Sequence, residues 1–473
     1  MTYRLVLLIG VIGFGLAGGS LFAQKALPIL KASGQAVSMR IGNDFYPGRW
    51  GVDATVKPDV YEVWVPRGKT LRVAFVSEKD SLVRTLRGGE IIDFIILTPK
   101  GDSALTRIKS TAFDEPAVFT KQYVQTHTGK TFVEIPEVYE LINVVFALTE
   151  AGRKSPDLIN KQTPYYQELL RYFEPYRSER IVAVIDSVLK QDESQYFPLK
   201  MDAYAFSMDA KGNIRQSSVY DRASWGYLNT VRPYIPLLQQ FAKRSNFVQF
   251  YRQQRPFYKQ LITSYQDSLG VAGMQSWLNR NFPGTTYQSF KIIFSPLVSG
   301  NQSANWFENN GFKEAQAHVN YPFVSGKDTS VTSSAVDIRR GNIVFTELNH
   351  AFINPEADKY SNQLKAAITN LDMWLADGKP AKRSYNDIYS CFNEYMNWGL
   401  VCLRYVDTVP KEDLPVLQKN VENMMVNYRG FKKFAEFDQF LVPLYRDRPS
   451  GKTLADLYPQ IIQWFASQTE KKQ

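Results

Sequence analysis

The chain has 473 residues, 44% of them hydrophobic, 14% aromatic and 22% charged, which excludes a mostly disordered or fibrous protein and, at roughly 150 residues per domain, implies two or three domains. A mean hydropathy of −0.29 excludes a polytopic membrane protein. The formal charge of +10 is scattered, its densest groups being pairs such as Lys243-Arg244, Arg339-Arg340 and Lys382-Arg383, so it reads as a solvated basic surface and no nucleic acid is expected as a partner.

The only continuously apolar stretch runs from Leu5 to Gly19. With Arg4 before it and Ser20-Leu21-Phe22-Ala23 closing it, residues 1–23 read as a secretory signal peptide cleaved before Gln24. The residue directly after that site is Gln24 and not a cysteine, so a periplasmic or extracellular product is expected, without a lipid anchor and with no stable membrane span after cleavage. The two cysteines, Cys391 and Cys402, would stand about 16 Å apart along one helix, too far for a disulfide.

Residues 24–150 read as a β-rich N-terminal domain. Tyr61 to Val65, Leu71 to Phe75 and Ile91 to Leu97 alternate with period two, and Arg67-Gly68 and Pro99 to Asp102 supply turns. The domain closes with Val138 to Leu148, whose apolar spacing fits a strand or a short helix. His127 falls in the polar stretch Thr126 to Lys130, expected as an exposed turn. From 151 to 473 the texture is mostly helical: Tyr165 to Phe173, Ser178 to Leu189, Tyr234 to Ala242 and Asn246 to Gln266 repeat at three and four with aromatic inner faces. Phe290 to Phe294 and Ala315 to Phe323 read as strands flanking a polar loop, Val298 to Gly311, and helix resumes near Ile338. The fold class expected is α+β.

The chain has only three histidines, His127, His318 and His350. No nucleophile elbow, phosphate-binding loop or dinucleotide fingerprint accompanies them. His350 lies in Asn342 to Pro355, which reads as a helix stopping at Asn354-Pro355, with Thr346, Glu347 and His350 on one face.

Thr346-Glu347-Leu348-Asn349-His350 resembles the metal-binding helix of the zincin metallopeptidases, whose signature is His-Glu-x-x-His. Downstream, Ser390 to Trp398, with Glu394 at its centre, is similar to the second helix of the gluzincin branch, which supplies a glutamate ligand. The order of helices, extended pair, motif helix and glutamate helix is similar too. So is the layout of an uncharacterised family of secreted bacterial proteins with a β-rich N-terminal domain. The resemblance implies a zinc cofactor held by His350 and Glu394, Glu347 as catalytic base activating a metal-bound water, and a peptide or protein as substrate. Thr346 departs from the motif, because a hydroxyl replaces an imidazole and leaves two strong ligands. Glu347 as a ligand, or His318 brought beside the helix, are the remaining candidates for the third.

Three readings follow. One is a secreted zincin-like metallopeptidase, degenerate at position 346. Another is a non-catalytic pseudo-peptidase whose cleft binds a peptide, glycan or partner protein. The last is a surface component in which the N-terminal β domain carries the function.

Overall fold

The computed structural model describes residues 26–470 apart from 35, 43, 52–58, 325 and 327; the expected signal peptide lies outside the described residues. The fold is α+β, with a β-rich N-terminal region followed by a helical one, and the chain divides into two compact units at Phe113 and Asp114.

The first unit holds β1 (Ile29–Lys31), β2 (Ala36–Ile41), β3 (Asp44–Gly51), β4 (Asp59–Pro66), β5 (Thr70–Val76), β6 (Ser81–Arg87), β7 (Ile91–Leu97) and β8 (Ser103–Phe113). They form two four-stranded sheets, β1-β7-β8-β4 and β3-β2-β5-β6. The period-two alternation sends Val73 and Phe75 of one sheet and Phe94, Ile96 and Ile108 of the other into a shared core, where the Phe75 and Phe94 rings lie 5.0 Å apart.

The second unit begins earlier than the expected boundary near 150. β9 (Lys130–Glu134) joins the sheet of the helical region, in the order β13-β14-β12-β9, with β12 (Ser289–Ser295), β13 (Ser303–Asn309) and β14 (Phe312–Asn320). Val138 to Leu148 is helical, within Glu137–Leu148, and eleven of that helix's residues are buried. A helix apolar all round needs a large core on every side, which the helical unit supplies. β10 (Phe206–Met208) and β11 (Ile214–Gln216) form a separate hairpin. The segment expected as a polar loop before Gly311 contains β13, paired antiparallel with β14 through Asn310 and Gly311, both at positive φ. An Asn-Gly pair is the standard two-residue hairpin turn, and here it outweighs the polar composition around it. β9, β12 and β14 run parallel, leaving β13 as an antiparallel edge.

The motif helix, Asn342–Asp358, does not stop at Asn354-Pro355. Pro355 brings no N–H to the carbonyl of Ala351, but the Tyr287 hydroxyl donates to that oxygen at 2.8 Å, so the helix continues at little cost. Its Phe352 ring stacks on Phe290 of β12 at 6.1 Å, which sets the helix on the Phe290 face of the sheet. Cys391 and Cys402 are free and buried in the helix Ile388–Thr408. Among the described residues no helix is long and apolar enough to cross a membrane.

Candidate functional site

Thr346, Glu347 and His350 line one cleft of about 590 Å³ together with Glu394, Asn397 and Trp398. The spacing of three and four places the first three on one face of the motif helix, and the same spacing places the others on one face of Ile388–Thr408. The helices meet through polar side chains: Asn349 Nδ2 donates to Asn397 O at 3.1 Å, and the Asn397 amide reaches His350 Nε2 at 3.0 Å. On the other side of the imidazole, His350 Nδ1 lies 3.3 Å from Asn354 Oδ1, so with Asn397 donating, the ring carries its proton on Nδ1.

Glu394 is 3% exposed and fully engaged. Arg429 Nη1 donates to its Oε1 at 2.5 Å, Trp398 Nε1 to the same oxygen at 3.0 Å, and Asn397 Nδ2 to Oε2 at 3.2 Å. Burial works against this carboxylate, but Arg429 and His350 outweigh it and hold its pKa below the usual value. Arg429 ends a π-helical turn, Met424–Arg429, followed by Gly430 at φ 93. That glycine is required: a Cβ there would strike the Lys379 side chain in addition to being strained. The guanidinium also donates to Tyr385 OH at 3.0 Å and lies over the Tyr385 and Trp398 rings, at 5.2 and 5.7 Å.

Glu347 stands in contrast. Among the described residues its carboxylate has no hydrogen-bond partner, and part of its surface opens to the cleft. Burial, opposed by His350 and reinforced by Glu394, pushes its pKa up to about 7. Glu347 also feels the charge of Lys200, fully buried, whose ammonium donates to Asn301 O at 2.7 Å and whose pKa burial pulls down to about 7.

These groups do not fit the zinc site that the motif implies. The Thr346 hydroxyl turns back to Ile343 O at 2.8 Å, His350 Nε2 is taken by Asn397, and Arg429 already supplies the cation for Glu394. Among the described residues no group of three or more His, Cys, Asp or Glu side chains is placed to hold a metal ion. His318 is not the missing ligand. It is fully buried in β14 and is not among the cleft's lining residues; its ring lies 5.7 Å from Tyr139 and its Nε2 3.3 Å from Gln316. His127 ends a short helix, Lys121–His127, and is half-buried against Tyr123, with ring centroids 3.6 Å apart.

A second charged cluster was not foreseen in the sequence. Lys291, Glu314 and His318 alternate with Phe290, Ala315 and Ala317 along β12 and β14, so they occupy the sheet face turned away from the motif helix. Lys291 Nζ donates to Tyr204 OH at 2.7 Å within 6 Å of four aromatic rings, and Glu314 accepts from Tyr123, Tyr220 and Gln316.

Comparison with known proteins finds no matching family model, no matching curated protein and no matching solved structure.

Proposed function

We propose that this chain is an exported, zincin-like protein whose cleft is a non-catalytic ligand-binding site. The observation that carries the reading is the ion pair of Arg429 with Glu394. A fixed guanidinium takes the place where a gluzincin's glutamate would meet a metal, and the same arginine stacks into the cleft wall, so its position is built in. Thr346 and Asn397 are both engaged within the protein: one turns its hydroxyl back onto the helix carbonyl of Ile343, the other fixes the His350 ring. The retained cleft is concave, aromatic-lined and supplied with a few convergent polar groups, the usual constitution of a ligand site.

One observation favours the hydrolase reading. Glu347 is unpartnered, faces the cleft and has a carboxyl raised towards neutrality, which is what a general base requires. Incubation of the purified chain with zinc and a digest of denatured protein, followed by mass spectrometry of new peptide termini, decides between them. The binding reading predicts no new termini. Cleavage that disappears in Glu347→Gln and on chelation would overturn it.

A further inference from the structure

Residues 300–302 line the cleft and lead into the edge strand β13, and several main-chain groups of this stretch are already engaged. The N–H groups of Gly300 and Asn301 donate to Asp157 O at 2.9 and 3.2 Å, and Asn301 O accepts from Lys200. On the outward edge of β13, Ala304 O accepts from the Trp225 indole at 2.9 Å. The Asn305 amide bridges the Trp306 N–H, at 2.9 Å, to Ala223 O, also at 2.9 Å. An extended peptide binds such an edge chiefly through a continuous ladder of main-chain hydrogen bonds, and here that ladder is interrupted at Ala304 O and at the Trp306 N–H. Recognition therefore falls to side chains.

The side chains available are exposed rings and amides. Tyr428 lines the cleft and is 73% exposed, and Phe197 lines it with its ring 6.5 Å from that of Trp225, itself 58% exposed. Trp225 sits in a loop that is tied down. The carboxylate of Asp202, fully buried, accepts from the N–H groups of Ala223, Ser224 and Thr230 and from the Thr230 hydroxyl, at 2.6 to 3.0 Å. A ring exposed on an anchored loop is a pre-organised contact surface, since little order is left to impose when a partner binds. Charge in the cleft is balanced internally, Arg429 against Glu394, and Lys200 near enough to Glu347 for each to feel the other's charge. The ligand that suits flat exposed rings, the side-chain amide of Asn301, little net charge and an interrupted main-chain ladder is a neutral sugar chain, whose rings stack their C–H faces on aromatics while their hydroxyls bond to side chains.

We infer that the cleft binds a neutral oligosaccharide, with Trp225, Phe197 and Tyr428 as stacking surfaces. This rests on the non-catalytic reading of the same cleft.

The test uses the full mature chain. It is screened on a printed glycan array, the best hit is titrated calorimetrically, and peptides from denatured protein are titrated in parallel. At least one neutral glycan is expected to bind, and Trp225→Ala and Tyr428→Ala, both at exposed positions, are each expected to weaken it by about tenfold or more. Absence of any neutral-glycan binding, or binding unchanged in both variants, overturns the inference. If the cleft instead holds intact peptides, the sugar assignment falls and the non-catalytic reading stands; if it cleaves them in a chelator-sensitive manner, both fall.

Discussion

Two charged clusters lie on opposite faces of one sheet. Behind it, Lys291, Glu314 and their tyrosines make a closed network in which Glu314, fully buried, is met by two hydroxyls and an amide. In front of it, Glu394 is as well satisfied, but Glu347 is left without a partner at the wall of an open cleft. Buried charge alone therefore does not mark a site. The rear cluster rigidifies the sheet, whereas the front one combines a locked ion pair with an unsatisfied carboxyl and exposed rings.

The largest expected effect that separates the two roles is at Arg429. Arg429→Ala leaves Glu394 buried and unpaired, and a loss of about 3–5 kcal/mol in chemical denaturation is expected, with much of it recovered when Glu394→Gln is added. A loss below about 1 kcal/mol would mean that the pair is solvent-screened and does not organise the cleft. At the rear, Tyr220→Phe removes one donor to Glu314, and about 1–3 kcal/mol of stability should go with it while ligand binding at the cleft stays unchanged. A change in binding without a change in stability would reverse the roles assigned to the two faces.

The smallest effect is at Glu347 and has the opposite sign. Because its folded pKa lies near 7, above the ordinary carboxyl value of 4.5, the folded state binds the proton more tightly than the unfolded one. Its contribution to stability is complete at low pH and is lost as pH rises through about 7. Glu347→Gln should therefore melt close to the native chain at about pH 4 and above it at about pH 8, by a few °C at most. A variant less stable than the native chain at the higher pH would place a hidden partner on the carboxylate.

Much of the fold was legible in the sequence. Period-two alternation located β4, β5 and β7, and aromatic stripes at three and four located the helices around Tyr165, Ile181, Leu238 and Phe250. β13 was hidden by its polar residues, although Asn310-Gly311 announced the hairpin. Pro355 looked like a helix end because the hydroxyl that relieves it, on Tyr287, lies 64 residues along the chain from the Ala351 carbonyl it caps. At the site, helix spacing alone was enough to bring Thr346, Glu347 and His350 together. Asn397 was within reach of the same reasoning, three residues after Glu394. Arg429 was not: its approach depends on a π-helical turn and on Gly430, for which no pattern in the sequence gives notice. Lys200 and Trp225 were equally silent, since their positions are set by tertiary contacts with residues 301 and 304.

The central claim is that Arg429 stands where a metal would. It is tested most directly by the metal content of the mature chain, purified without a histidine tag or chelator and measured by elemental mass spectrometry beside His350→Ala. The account predicts far less than one zinc per chain in both proteins. Near-stoichiometric zinc in the native chain, lost in His350→Ala, would contradict it and restore a working metal site.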